Sequence, residues 1–361
     1  MRYVVHGVRS QQSYWLMSPE LLNAFSGLLK ADIVEAVRVF GGGNSQVYRL
    51  VDEHATPWCG KVYAAPSPGR RDRLATEWQA LCFLRDNGLR CVPQPIACEN
   101  EHKIAVFQWI EGDQFSGRVI TKRETEQALE FLRELDKVRA TPAAGGLPFA
   151  SEAFFNLDGI YQNLISRGTQ LSAVTGHSTE HDLMRTFVNG ELSDARERFF
   201  DRALQGYKDL GCLPTDLLSE DERILSPSDF GFHNALKSPS GLVWLDFEYF
   251  GWDDPAKTMT DFVLHPAMKI DVDARRSFWV GACGSLSRGG NLAARAKLLY
   301  PLHGVKWCLI ILNEFLHDGE ERRLGASGEK VVARTLRLGQ FSKARQLLRT
   351  VIEHDESFPY Q

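Results

Sequence analysis

A change of hydrophobic period near residue 112 limits the fold more than any other feature of the chain. Upstream, Ile33 to Phe40, Gln46 to Val51 and Trp58 to Tyr63 are short runs of β-branched and aromatic residues. The turn-forming clusters Gly41-Gly42-Gly43-Asn44 and Asp52-Glu53-His54 separate them, which predicts a β-meander. From Arg71 to Arg85, Leu74, Trp78, Leu81, Cys82 and Leu84 recur at helical spacing, and Asn87-Gly88 supplies a stop. Pro95 to Cys98 and Ile104 to Trp109 are strand-like again, joined by Glu99-Asn100-Glu101-His102. The sum is a five-stranded antiparallel sheet with one helix. Beyond Glu111-Gly112, Thr121-Lys122-Arg123-Glu124 has the form of a capping box, and the pattern is helical to Val138. Helices are expected over 152–167, 180–189, 192–209, 256–264, 272–282, 291–317 and 338–354, interrupted by a β-like island from Arg223 to Asp246. The chain is therefore read as α+β. Residues 34–110 form a β-rich lobe, 111–361 a helical lobe after a hinge at 110–112, and 1–33 an N-terminal extension without an assigned role.

Composition narrows the partners. Among 361 residues, 43% are hydrophobic and 24% charged, so a sizeable core is affordable and wholesale disorder is excluded. Lys plus Arg number 42 against 46 Asp plus Glu, a net charge of −4, so no general positive field attracts nucleic acid. The longest strongly apolar run, Trp307 to Leu312, is six residues long, far below the roughly 20 of a spanning helix. His6, Arg9, Gln11 and Gln12 interrupt the N-terminus where a secretory signal would be apolar, so a cytoplasmic location is expected. Seven cysteines without a C-x-x-C pair fit reduced thiols better than a disulfide framework or a zinc site. His177 and His181 have i, i+4 spacing, but without accompanying carboxylates a solvated helix face is the better reading.

One constellation carries chemistry. Asp229 is followed five positions later by Asn234, and Asp246 comes seventeen after Asp229, at the end of the strand-like Leu242 to Leu245. An Asp and an Asn on one loop turn one side chain to an acceptor hydroxyl and the other to a cation, and a second Asp approaches that cation across a hairpin. Oxygen ligands of this kind suit magnesium. Upstream, Gly42 and Gly43 let backbone amides approach phosphate oxygens, with Ser45 beside them. Lys61 lies on the third strand and Glu77 sixteen residues later on the following helix, where a carboxylate would steady the lysine stem. Singly, each of these is as readily a loop cap or a surface ion pair. Together and in this order they point to phosphoryl transfer from a metal-bound nucleotide.

The chain resembles the aminoglycoside phosphotransferase and choline kinase family of small-molecule kinases, relatives of the protein kinases. The matching segments are Phe40 to Arg49, Gly60-Lys61-Val62-Tyr63, Trp109-Ile110-Glu111-Gly112, Ser228 to Ala235, and Leu245-Asp246-Phe247-Glu248-Tyr249. The resemblance covers about residues 35–320 and implies a two-lobed protein-kinase-like fold. It also implies that Asp229 orients the acceptor hydroxyl or takes its proton, and that Asn234 and Asp246 hold Mg2+. Lys61, kept in place by Glu77, would bind the nucleotide phosphates with Gly42, Gly43 and Ser45, and the hinge at Trp109 to Glu111 would receive adenine. ATP is the implied nucleotide, with GTP the other that these residues would take.

Asp229-Phe230-Gly231 spells the protein-kinase metal motif, but an Asp followed five residues later by Asn should then lie upstream. Asp209, Asp216 and Asp221 are followed at that distance by Pro214, Asp221 and Ser226, so Asp246 is assigned to the metal. Two positions depart from the family pattern: Pro227 stands where relatives usually carry histidine, and Thr258 where they often carry a loop-anchoring Asp, a task that Asp261 is expected to take over. Only seven residues separate Asp246 from Asp254, too few for a platform that docks protein substrates, so a small-molecule acceptor is expected. Glu248, Asp253, Asp254, Asp261 and Glu314 are the candidates for an acidic pocket, with Trp252 and Trp307 stacking on an amino sugar or a choline-like amine; a neutral sugar is an equal fit. The competing readings are a nucleotide-binding pseudokinase with a regulatory role, and a kinase-fold enzyme acting on a protein.

Overall fold

A computed structural model describes residues 17–39, 45–66, 69–115, 117–288, 290–316 and 330–360. The Gly41-Gly42-Gly43-Asn44 turn lies outside these residues. Helix α1 (Pro19–Leu29) starts at Ser18, whose hydroxyl accepts the Leu21 N–H, with Pro19 in the first turn where no N–H is needed. Strands β1 (Ile33–Val39), β2 (Ser45–Asp52), β3 (Pro57–Tyr63), β4 (Pro95–Glu99) and β5 (Ile104–Gln108) form one antiparallel sheet in the order β1-β2-β3-β5-β4.

The two-residue period of β5 divides its side chains between the two faces. Ile104 and Val106 join Phe25, Tyr48 and Leu50 under α1, while Ala105 and Phe107 join the main core with helix α2 (Arg73–Asp86). Gly60 in β3 makes the first of these contacts possible, because a Cβ there would lie 2.7 Å from Leu50 Cδ1 and 3.1 Å from the Phe25 ring. Residues 19–29 of the expected extension are thus a helix that seals the outer face of the sheet, so the sheet packs against two helices where the sequence pattern suggested one.

Beyond the hinge, β6 (Asp113–Gln114) and β7 (Val119–Ile120) precede α3 (Lys122–Val138), whose capping box is present: the Glu124 carboxylate accepts the Thr121 N–H at 3.0 Å. Helices α4 (Leu157–Ser172), α5 (Thr179–Asn189) and α6 (Glu191–Asp209) follow. The first begins five residues later than expected because Asn156, not an earlier residue, caps it by accepting the Gly159 N–H. The β-like island resolves into β8 (Ile224–Ser226) and the hairpin β9 (Ala235–Ser238) and β10 (Gly241–Trp244), with β11 (Gly251–Asp253) paired antiparallel to β8.

Strand β6 adds to the outer edge of β9, so the chain leaving the hinge is hydrogen-bonded at once to the hairpin. Gly112 permits that closeness: a Cβ on it would lie 2.9 Å from the Lys237 carbonyl oxygen. Helices α7 (Pro255–Leu264), α8 (Val272–Leu286), α9 (Leu292–Ile311) and α10 (Lys330–Glu356) complete the lobe, with the short strand β12 (Lys269–Ile270) alongside β7. His181 is not on a solvated face as expected; it is buried, bonded to Ser178 Oγ and set edge-on to Phe315. No described helix is long and apolar enough to cross a membrane.

Candidate active site

An unbroken line of polar contacts runs from the sheet to the catalytic-loop candidate. Lys61, central in β3, directs its ammonium at Glu77 in the second turn of α2, at 2.7 and 2.9 Å to the two carboxylate oxygens. Tyr63, two residues on and therefore on the same face, donates its hydroxyl to Glu77 Oε2 at 2.6 Å. Lys61 Nζ also reaches Asp246 Oδ1 at 3.4 Å, and the Phe247 N–H points at Glu77 Oε1 from 3.4 Å. On the other side of Asp246, the Leu245 N–H donates to the Asn234 carbonyl at 2.8 Å, and Asn234 Nδ2 donates to the Asp229 carbonyl at 3.0 Å. Burial alone would strip the proton from Lys61, but the carboxylates of Glu77 and Asp246 outweigh it and keep the ammonium charged far into the alkaline range.

Asp229 sits on a short, heavily braced loop after β8. Its backbone N–H closes a tight turn on the Pro227 carbonyl at 2.9 Å, and Ser228 before it has a φ of 68°, an uncommon conformation for a residue with a side chain. Ser226 Oγ accepts the Ser228 N–H at 3.0 Å and the Thr258 hydroxyl at 3.2 Å; Lys257 Nζ donates to Ser228 Oγ at 3.1 Å. Among the site residues, Asp246 shares this conformation, with a φ of 64°. The expectation that Asp261 would replace the loop-anchoring Asp is corrected: Thr258 itself helps to hold the loop, and Asp261 acts only at one remove, through Lys257 at 3.5 Å.

Asp229 Oδ1 lies 3.1 Å from Nε2 of both His233 and His265. Burial pushes its carboxyl up, but the two imidazole partners outweigh it and hold it well below the usual carboxylate range. For a divalent cation the donor set is suitable. Asn234 uses its amide nitrogen on Asp229, which leaves its carbonyl oxygen for the ion, and the Asp246 carboxylate is more than a third exposed.

The sequence profile of the phosphotransferase enzyme family matches residues 36–265, more than half of the chain and every residue of this line of contacts. The chain belongs to that family. No curated protein matches this phosphotransferase significantly in sequence. Among solved structures it is similar to a spectinomycin phosphotransferase bound to ADP and spectinomycin, at 14% identity and a TM-score of 0.63, covering 94% of this chain and 98% of that one. It is also similar to a choline/ethanolamine kinase family protein from Mesorhizobium loti, at 17% identity and a TM-score of 0.55, covering 95% and 100%. A macrolide 2'-phosphotransferase from Brachybacterium faecium aligns at 14% identity and a TM-score of 0.55, covering 90% and 97%. These structural similarities, along nearly the whole of each chain, show the two-lobed kinase-like fold.

The remaining candidate residues fall in three groups. Ser45 opens β2 opposite Tyr63, whereas Gly42 and Gly43 lie outside the described residues. Trp109 and Glu111 stand at the hinge, where the indole N–H donates to the Glu111 carboxylate at 2.7 Å and the Arg49 guanidinium covers the ring.

The expected acidic pocket is corrected for Asp253, Asp254 and Asp261, which are paired with buried cations. Asp253 is wholly buried against Lys257 at 2.8 Å, Asp254 is held by Arg295 and caps α7, and Asp261 takes Lys306 at 2.6 Å and the Trp307 indole N–H at 2.9 Å. Glu248 is buried with Arg73 at 3.7 Å; burial, and then the neighbouring Asp246 and Glu77, push its carboxyl up to about 7. Trp252 donates its indole N–H to the Ala144 carbonyl, and Glu314 lies in the 3-10 turn Leu312–Phe315, outside the line of contacts. The sequence reading missed His265, Tyr63, Ser226 and Lys257. His265-Pro266 directly after a helical stretch was the one visible signal, since proline there stops the helix and fixes where the histidine points.

Proposed function

We propose that this phosphotransferase moves the γ-phosphoryl group of ATP to a hydroxyl of a small molecule. The observation that carries this reading is the line from Lys61 through Glu77, Asp246 and Asn234 to Asp229, which spans both lobes and ends in a carboxylate held by two imidazoles. Lys61 would hold the α- and β-phosphates, its stem fixed by Glu77, and the backbone at Trp109 to Glu111 would receive the base. Mg2+, held by Asn234 and Asp246, would neutralise charge on the phosphate oxygens.

In the transfer, the acceptor oxygen forms a bond to the γ-phosphorus as the bond to the β,γ-bridging oxygen breaks, and ADP leaves. The depressed basicity of Asp229 suits a group that aligns the hydroxyl and accepts its proton late, once the P–O bond is largely formed. A small acceptor is favoured by the short stretch from Asp246 to α7, which is taken up by β11 and its pairing with β8. With Asp253, Asp254 and Asp261 paired to buried cations, three of the five expected carboxylates are not offered to a cationic amine, so neutral and anionic hydroxyl compounds belong in the test beside amino sugars.

The test is a nucleotide-consumption screen with MgATP across aminoglycosides, choline, ethanolamine, hydroxy amino acids, free sugars and sugar acids, with product masses determined. A gain of one phosphate by one acceptor class, abolished by Asp229→Asn while MgADP binding persists, is the expected result. Binding of MgADP without transfer to any acceptor would favour a regulatory module instead.

A further inference from the structure

Asp229 Oδ1 is crowded. His233 Nε2 and His265 Nε2 both lie 3.1 Å from it, and the two rings stack with centroids 3.8 Å apart and planes 14° apart. The second oxygen, Oδ2, has only the Asn234 amide at 3.3 Å. The tautomer of His265 follows from its surroundings. Its Nδ1 accepts the Ala267 N–H at 3.2 Å, so Nδ1 carries the lone pair, and in the neutral ring Nε2 carries the proton. Burial, then the proximity of His233, lower the basicity of that ring against the opposing pull of Asp229 and Asp261. Nε2–H is therefore a donor aimed at Oδ1. His233 lacks such support, because its Nδ1 is buried without a hydrogen-bond partner.

The position of His265 is itself fixed. It ends α7, and Trp307 meets its ring edge-on at 4.4 Å while donating its indole N–H to Asp261, which also holds Lys306. Lys257, on the same helix, grips the catalytic loop through Ser228. Helix α7 thus braces Asp229 twice, once through the backbone and once through the carboxylate. Asp229, His233 and His265 lie close enough together to suggest a cation site. Ligation through His265 Nε2 would move the ring proton to Nδ1, against the Ala267 N–H, so the geometry favours the hydrogen bond over the ion.

We propose that His265 is a positioning residue for Asp229: it occupies Oδ1 through a fixed Nε2–H donor, so that Oδ2 is the oxygen presented to the acceptor hydroxyl. This rests on the phosphotransferase reading above. Pro227, two residues before Asp229, has no side-chain donor for the task, and the support arrives instead from a helix 36 residues downstream.

The test uses the full chain with 15N-labelled histidine and two variants. In the wild type, nitrogen spectroscopy should report His265 as a neutral ring protonated at Nε2, with a slowly exchanging proton that becomes fast-exchanging in Asp229→Ala. A ring protonated at Nδ1, or an Nε2 proton indifferent to Asp229→Ala, overturns the proposal. In the second arm, His265→Phe should lower the rate of ADP formation from MgATP, with acceptor or into water, by on the order of 10- to 100-fold, while MgADP affinity stays within about twofold. His265→Gln, which restores an N–H of similar reach, should recover most of the rate. Wild-type turnover in His265→Phe, or equal losses of rate, affinity and melting temperature in both variants, also overturns it. A wild type that neither binds MgADP nor forms ADP overturns the phosphotransferase reading and the proposal with it, whereas the other outcomes strike the role of His265 alone.

Discussion

Lys61 and Asp246 are 185 positions apart in the chain and 3.4 Å apart in space. Glu77 lies on the other side of the same ammonium and receives the backbone N–H next to Asp246, so strand β3, helix α2 and the segment after β10 meet at one cation. Ionic contacts therefore tie the five-stranded sheet and its helix to the hairpin of the helical lobe.

Replacing Glu77 by Gln removes the main counter-charge of a lysine whose side chain is only 12% exposed. Breaking one half of a buried pair costs about 3 kcal/mol, which urea unfolding at neutral pH should register. Calorimetry should show MgADP affinity reduced by roughly tenfold, since the Lys61 stem loses its fixed direction. An unchanged unfolding midpoint together with unchanged affinity would deny Glu77 this role.

Asp246 has a φ of 64°, a region that Asn tolerates and β-branched residues avoid. Asp246→Asn should leave stability within about 1 kcal/mol of wild type while removing Mg2+-dependent ADP formation. Asp246→Val should add a backbone penalty of about 1–3 kcal/mol. Measuring both melting curves separates the lost ligand from the strained backbone. Full activity in Asp246→Asn would remove this residue from the metal site.

Burial raises the Asp261 carboxyl, but the ammonium groups of Lys306 and Lys257 outweigh it and hold it at about 2. A depressed folded-state value means stability that is complete above the ordinary 3.8 and lost as the pH falls through 2. The stability gap between wild type and Asp261→Asn should therefore be at its full size near pH ~5–6, below the range in which Lys306, lowered by burial to about 8, gives up its proton, and shrink by about 2 kcal/mol on approaching pH ~2. Denaturant titrations at a series of pH values read this directly, and a gap independent of pH would mean that Asp261 is not ionised in the fold.

At Gly112, the 2.9 Å that a Cβ would leave to the Lys237 carbonyl oxygen is too short to accept. Gly112→Ala should push β6 off β9, cost about 1–3 kcal/mol, and speed hydrogen exchange at the Asp113 and Gln114 amides. Wild-type exchange at these two amides would show that the strands accommodate the methyl group.

The elements were legible where a local pattern sets them: alternation and turn residues mark the meander, and the Thr121 capping box marks the start of α3. The spacing of Lys61 and Glu77 was legible too, because a strand and the helix after it leave little freedom in how they face each other. Helix α1 carries a cap and an apolar face, but only the empty outer face of the sheet, which no local pattern reveals, shows why Phe25 is wholly buried. The acidic residues misled for a related reason. Asp253, Asp261 and Glu248 read the same in sequence whether they line a pocket or face Lys257, Lys306 and Arg73, and only the packing of α7, α9 and α2 decides between the two. His265-Pro266 marks a helix end, but the pairing of His265 with Asp229 was not legible, because that partner lies on a loop 36 residues earlier.

The ions beneath the Asp229 loop, Asp253, Lys257, Asp261 and Lys306, are all within the helical core. Unfastening the loop would take the Ser228 hydroxyl away from Lys257 in this buried, mutually paired cluster, which ties the loop to the helices that hold the cluster. On heating, catalysis and the helical half should then fail in one step, with no temperature band in which the protein is intact but inert.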